Sequence, residues 1–310
     1  MMGKRGRAAA LLAALLALGA CGKQAPAPAA PAVADTAFLA DQQRWREERR
    51  QELQAADGWT SLVGLHWLEL KEHYIGSGPG SGIRLAVGPA RMALVSRVGA
   101  QVFLTPEPGA ALSMDGKPLQ RRTRLYSDHD ATPSVIDFDG GKGKLSLIER
   151  GGRYALRVKH ADAPTRLGFA GLSYWPAAES WRIRGRFAPN APGKTLPIVD
   201  IIGVTTESPN AGALEFERDG KRFRLEAIGE PGRPLFVVFA DRTSGRGSYP
   251  AGRFLDVPAP DADGSVVLDF NRAYNPPCAF TPFATCPLPP PENRLDLAVE
   301  AGEKTYAAAH

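Results

Sequence analysis

From Asp35 to about Ala56 apolar positions recur at helical spacing. Phe38, Leu39, Gln42, Trp45 and Leu53 fall near one face and charged residues occupy the rest. Asp35 or Thr36 is placed to cap the start, and Gly58 follows the end, so the pattern predicts one amphipathic helix over 35–57. Beyond it no segment sustains a helical period. The aromatic-rich run Gly58 to Leu70 reads as buried extended structure. Shorter apolar runs follow at Met92 to Val98, Gln101 to Leu104, Val135 to Asp139, Lys144 to Glu149 and Arg153 to Lys159, broken by glycine pairs. A second series comprises Trp181 to Phe187, Thr195 to Thr205, Ala213 to Arg218, Lys221 to Ala227, Leu235 to Ala240, Arg253 to Val257 and Ser265 to Phe270. Asp219-Gly220 is the strongest hairpin signal, with Leu214, Phe216, Phe223 and Leu225 on one face. The prediction is a mainly β fold: an antiparallel sandwich or barrel in two β subdomains, 58–160 and 161–310, preceded by one helix.

The high counts of Gly (33) and Pro (27) in 310 residues agree with many short strands joined by turns. The formal charge of +5 is concentrated at the start. Removing Lys4, Arg5 and Arg7 leaves 35 basic against 33 acidic residues, which lacks the positive field of a nucleic-acid binder.

Those three cations belong to a basic start, an apolar run from Ala8 to Leu18, and Leu18-Gly19-Ala20-Cys21. The run is too short to span a bilayer and ends in small residues, as a cleaved export signal does. Leu-Gly-Ala-Cys resembles the bacterial lipobox. That resemblance implies a signal peptide over 1–20 and a lipidated Cys21, with palmitate among its acyl chains. Gly22 in place of Asp points to the outer membrane, and hence to a cell-envelope protein facing the periplasm. Residues 21–34, rich in Pro and Ala, read as an extended tether.

Export changes the reading of Asp269 to Arg294, DFNRAYNPPCAFTPFATCPLPPPENR. Cys278 and Cys286 enclose seven residues in a chain bound for an oxidising compartment, so a disulfide is the natural reading. Two cysteines without a nearby His supply half a zinc shell, and a catalytic thiol requires one reduced Cys beside a base. No metal or cofactor is expected. Asp269, Asn271, Arg272, Tyr274, Asn275 and Thr281 are polar groups beside Phe270, Phe280 and Phe283. They form either a hydrogen-bond network locking the stapled loop or the wall of a ligand pocket.

The nucleotide-binding alternatives fail on spacing: the glycines from Gly76 to Gly82 precede no helix, and Ala188 stands where a P-loop ending in Gly193-Lys194-Thr195 needs Gly. Enzyme signatures such as Gly-x-Ser-x-Gly and His-Glu-x-x-His are missing, so no catalytic residue is assigned. A constellation with His66, His73 or His160 as base and Asp269 as orienter stays open. Asp128-His129-Asp130 reads as a solvated turn rather than a metal site. Arg182, Arg184 and Arg186 share a strand face, either for an anionic ligand or paired with Glu215, Glu217 and Glu226.

Two resemblances bear on the fold. Ile75-Gly76-Ser77, Ile83-Arg84-Leu85 and the Asp115-Gly116 turn within Ser113 to Leu119 partly resemble a forkhead-associated β-sandwich. Ser77 replaces the phosphothreonine-gripping Arg and no Ser-x-x-His follows, so this resemblance implies a small sandwich without phosphopeptide binding. The block from Asp269 to Arg294, with Arg150-Gly151-Gly152-Arg153-Tyr154 and Gly58-Trp59, resembles the bacterial and archaeal family known as domain of unknown function 1684, over nearly everything after the tether. The family implies a shared fold and site but no reaction. The expectation is an envelope lipoprotein whose body binds a small molecule or an envelope protein; the alternatives are an envelope hydrolase using Asp269 with a histidine, and a structural assembly protein.

Overall fold

Asp35 caps the first helix by accepting a hydrogen bond from the Ala37 amide at 3.0 Å, and α1 runs Thr36–Gln54. It ends three residues before the expected Asp57, because Ala55 turns extended and Gly58 then folds against the helix end. A Cβ at Gly58 would lie 2.4 Å from the Glu52 carbonyl oxygen, so only glycine fits there. Phe38, Gln42 and Leu53 are buried, Trp45 is half-buried, and Leu39 faces solvent instead of the core. The structure, a computed structural model, describes residues 35–307. The signal peptide over 1–20, the lipidation at Cys21 and the tether over 21–34 lie outside the described residues.

Eleven strands follow in the described N-terminal half: β1 (Leu62–Trp67), β2 (Glu72–Gly76), β3 (Ile83–Arg84), β4 (Ala93–Val98), β5 (Gln101–Pro106), β6 (Ser113–Met114), β7 (Lys117–Pro118), β8 (Thr123–Leu125), β9 (Val135–Phe138), β10 (Gly143–Arg150) and β11 (Arg153–His160). They form two sheets, ordered β1-β11-β10-β9-β6-β7 and β3-β2-β4-β5-β8, antiparallel except at β2–β3. Asp115-Gly116 turns β6 into β7 and Gly151-Gly152 turns β10 into β11, all four with positive φ, as two-residue hairpin loops require. The alternating positions Ile75, Val95 and Leu104 of one sheet meet Ile136, Leu145, Leu156 and Val158 of the other in a single core.

The second half follows a short helix, α2 (Pro164–Leu167). It contains β12 (Arg182–Pro189), β13 (Thr195–Val199), β14 (Thr205–Pro209), β15 (Gly212–Arg218), β16 (Lys221–Ala227), β17 (Leu235–Phe239), β18 (Arg253–Val257) and β19 (Ser265–Asp269). A four-stranded sheet, β16-β15-β12-β19, faces the β17–β18 pair across a core that includes Leu214, Leu225, Val237, Leu255, Leu268 and Phe270. The single run expected from Thr195 to Thr205 is instead a hairpin. The Asp200 side chain accepts from the Ile202 and Val204 amides at 3.0 and 2.9 Å and turns β13 back into β14. The fold is mainly β with several antiparallel sheets, and among the described residues no sheet closes into a barrel.

A third apolar cluster joins the halves. Leu62 of β1 packs with Val238 of β17, Phe254 of β18, and Ala284 and Cys286 of the terminal loop. A fourth ties in the helix through Leu53, Phe169 and Phe280.

Candidate functional site

The chain leaves β19 at Asp269, whose carboxylate accepts from the Asn271 amide at 3.1 Å and caps the single turn Phe270–Arg272. The fully buried Asn271 side chain clamps both the amide and the carbonyl of Ala178, each at 2.9 Å, and donates to Asp269 at 2.9 Å. Tyr274 exchanges backbone bonds with Phe254 at 2.9 and 2.8 Å, which extends β18 by one bridge. Asn275, also fully buried, donates its amide to Glu303 Oε2 at 2.7 Å and its Nδ2 to the Lys304 carbonyl at 2.8 Å. Pro276 and Pro277 then end strand pairing, and the Cys278–Cys286 disulfide closes the loop with Cα atoms 6.2 Å apart. Inside that loop the Thr281 hydroxyl donates to the Leu62 carbonyl at 3.3 Å.

The six polar residues of this stretch therefore divide. Asn271, Asn275 and Thr281 are buried and hydrogen-bonded within the body, as a locking network requires, although the Asn275 Oδ1 has no partner among the described residues. Asp269, Arg272 and Tyr274 reach partly exposed positions beside α1 and line clefts there.

Helix α1 contributes Gln42 from its expected docking face, and Asp41, Arg46 and Arg49 from its charged positions. Gln42 Nε2 donates to Asp269 at 2.8 Å, and Asp41 pairs with Arg272. Arg46 donates to the Trp175 carbonyl at 3.1 Å and lies over the Tyr174 ring at 4.4 Å. Arg49 reaches farthest, with Nε 3.0 Å from Glu303 Oε1, Nη2 3.0 Å from the Asn275 carbonyl, and its guanidinium 4.7 Å above the Tyr274 ring. Glu303, outside every candidate named from the sequence, has a fully buried side chain. Burial raises its carboxyl above the ordinary value, with Arg49 opposing the shift. The signal available was the three-to-four spacing of Gln42, Trp45, Arg46 and Arg49, one stripe of mixed character running along the docked face.

Between this helix and the body lies a cleft of about 540 Å³, bordered by Trp45, Arg49, Trp59, Lys159, Asp256 and Tyr274. The carboxylates of Glu48, Glu52 and Asp57 also line it. The staple backs it indirectly, because Trp59, Tyr274 and Cys278 all pack on the cluster containing Cys286. Its cations are already engaged: Arg49 by Glu303, and Lys159 by the Asp57 carbonyl at 2.6 Å. Burial lowers the Lys159 ammonium below its usual range, and both burial and the Asp256 carboxylate raise the Tyr274 phenol. Trp45 and Asp256 also border a second cleft of about 480 Å³ that contains Arg182, Asp269 and Arg272.

The histidines lie elsewhere. His160 pairs with Asp139 at 3.0 Å, His73 accepts from the Leu70 amide at 3.0 Å, and His66 packs against Gly64, with burial holding its imidazole below the ordinary value. Among the described residues Asp269 bonds to Gln42 and Asn271, forms an ion pair with Arg272 at 3.6 Å and reaches no histidine, so the acid–base pair that the hydrolase alternative needs is not formed. Asp128 and Asp130 are engaged by the Glu149 amide, Arg150 and Ser127. No group of three or more His, Cys, Asp or Glu among the described residues is placed to share a metal ion.

The sequence profile of the family described as "Protein of unknown function (DUF1684)" matches residues 167–304. An uncharacterized protein of Haloarcula marismortui, solved by NMR, is 33% identical and covers 45% of this chain and 79% of its own, with a TM-score of 0.38. The chain belongs to the DUF1684 family. The N-terminal FHA domain from EssC, a component of the bacterial Type VII secretion apparatus, matches at 15% identity over 32% of this chain and 46% of its own, with a TM-score of 0.25. No curated protein matches. The DUF1684 match is shorter than the nearly complete coverage expected. It takes in the stapled loop, Arg253 and Glu303, and leaves α1, Trp59 and Lys159 outside.

Proposed function

We propose that this DUF1684 protein is a cell-envelope lipoprotein, held through acyl chains on Cys21 at the periplasmic face of the outer membrane, whose body binds a small polar molecule in the cleft between α1 and the body that Trp59, Asp256 and Tyr274 border. The observation carrying this reading is the cleft of about 540 Å³, within the ~300–1,000 Å³ usual for small-molecule sites. Three aromatic side chains, Trp45, Trp59 and Tyr274, offer faces and edges for stacking. Its acceptors outnumber its uncommitted donors, because Glu48, Asp57 and Asp256 are exposed carboxylates while Arg49 and Lys159 already have partners. That combination suits a ligand presenting hydroxyl or amine donors on an apolar face. A thermal-shift screen of sugars, polyols and amines, repeated on Asp256→Asn and Trp45→Ala, tests it. Ligand stabilisation should be lost in both variants.

A further inference from the structure

The outer face of the four-stranded sheet carries Arg182, Arg184 and Arg186 on β12 and Arg222 and Arg224 on β16, all exposed. A solvated antiparallel face ordinarily interleaves opposite charges, and the register does place Glu215 between Arg186 and Arg224. Yet Glu215 and Glu226 both pair with Arg224, at 2.8 and 3.0 Å. Among the described residues Arg182, Arg184, Arg186 and Arg222 have no ion-pair partner, and Glu217 is the one carboxylate on the β15–β16 hairpin's outer face left to offset them. A groove of about 480 Å³ over Gly185 runs between Arg184, Arg186, Arg222 and Arg224, with Glu215 and Glu217 the two carboxylates in its lining. The reverse side of these strands is core, so the arginines serve no packing role inside the body.

A second observation concerns where the described chain begins. The Asp35 amide donates to Glu179 Oε1 at 2.8 Å, and the turn Glu179–Trp181 leads directly into Arg182. Asp35, the first described residue, thus lies beside the turn that opens the arginine-bearing strand. Residues 21–34 reach at most roughly 50 Å, and Arg182 to Arg186 spans only about 13 Å. An anchor at Cys21 is therefore long enough for this face to lie on the leaflet and short enough to keep it at high local concentration there.

We infer that the arginine face of β12 and β16 docks on the anionic phospholipid headgroups of the membrane that holds the protein. The inference rests on the Cys21 anchor for its orientation, whereas the charge of the face does not depend on it. Arginine near an anionic surface strengthens binding roughly fivefold per residue, and salt screens the effect over about 8 Å.

The test uses residues 22–310, which retain both cores and the disulfide, floated with phosphatidylcholine vesicles with and without phosphatidylglycerol. The chain is expected to bind only the anionic vesicles and to be released by salt. Arg184→Ser/Arg186→Ser/Arg222→Ser should bind on the order of a hundredfold more weakly at unchanged melting temperature and near-ultraviolet circular dichroism. The matching triple Lys variant should keep most of the binding, because a headgroup surface reads charge rather than guanidinium geometry. Equal binding by the Ser variant, or no binding of the parent to anionic vesicles, overturns the inference; the latter is the outcome for a face that takes an acidic protein instead. Palmitate labelling of the full chain in cells separates the two claims. Absent label removes the anchor while the vesicle result stands, and label without vesicle binding removes the arginine face alone.

Discussion

Arg49 Nε lies 3.0 Å from Glu303 Oε1, joining the first helix to the last described segment across 254 residues of sequence, with the Glu303 side chain fully buried. Breaking a buried pair from one side leaves an uncompensated charge. Arg49→Ala is expected to cost about 3–5 kcal/mol, read from denaturant unfolding.

The pH dependence of that loss follows from Glu303. Its carboxyl is raised above the ordinary 4.5 by burial, partly opposed by Arg49. A raised carboxyl contributes stability that is fully present below the unfolded value and lost as pH rises through the folded value. Removing Arg49 raises the folded value further, so the penalty of Arg49→Ala should grow from pH 4.5 towards pH 7. Glu303→Gln in the same background should flatten the profile. A penalty independent of pH would show that the carboxyl is not the cause.

Arg253 and Asp241 are both buried from solvent, 2.9 Å apart, and Arg253 also donates to the carbonyls of Val299, Ala301 and Glu303. Arg253→Met should therefore cost about 3–5 kcal/mol and loosen the C-terminal segment. Adding Asp241→Asn should recover part of this, and hydrogen exchange at residues 299–303 reads the loosening directly.

The staple is expected to contribute about 2–3 kcal/mol through the entropy of its short loop. Replacing Cys278 and Cys286 by Ala should lower the unfolding free energy by that amount, and reducing agent should destabilise the parent but not the variant. Two free thiols in the protein isolated from cells, read by non-reducing mass analysis, would contradict the bond.

These residues also mark what was legible in the sequence. The β15–β16 hairpin was, because a turn dipeptide and its flanking alternation are local: Leu214 faces Leu225 and Phe216 faces Phe223 as the period of two requires. The Cys278–Cys286 pair was, because the expectation of an oxidising compartment and a short separation point to a disulfide, and the two sulfurs are bonded. The helix was legible, and so was the place of Gln42 on its docked face, but that of Arg49 was not, and neither were their partners Asp269 and Glu303, which only tertiary packing brings to them. The same holds for the clefts. Trp59, Lys159, Asp256 and Tyr274 come from four separate segments and no spacing rule links them. Of the stapled-loop residues, the sequence could not divide the locked Asn271 and Asn275 from the cleft-facing Tyr274, because burial separates them and residue type does not.

Membrane attachment through Cys21 predicts that labelled palmitate enters the full chain in cells and that Cys21→Ala abolishes the label and frees the protein from the membrane fraction. Unlabelled, soluble parent protein would remove the anchor.

The central claim is that the cleft between α1 and the body binds a small polar molecule, and calorimetric titration of a screened sugar, polyol or amine tests it most directly. At a hundredfold excess over its dissociation constant such a ligand adds about 2.7 kcal/mol of stability. Binding should fall at least tenfold in Asp256→Asn and in Trp45→Ala, and remain in Arg184→Ser, a residue that lines neither cleft. Binding that survives both cleft substitutions unchanged would place the site elsewhere and contradict the account.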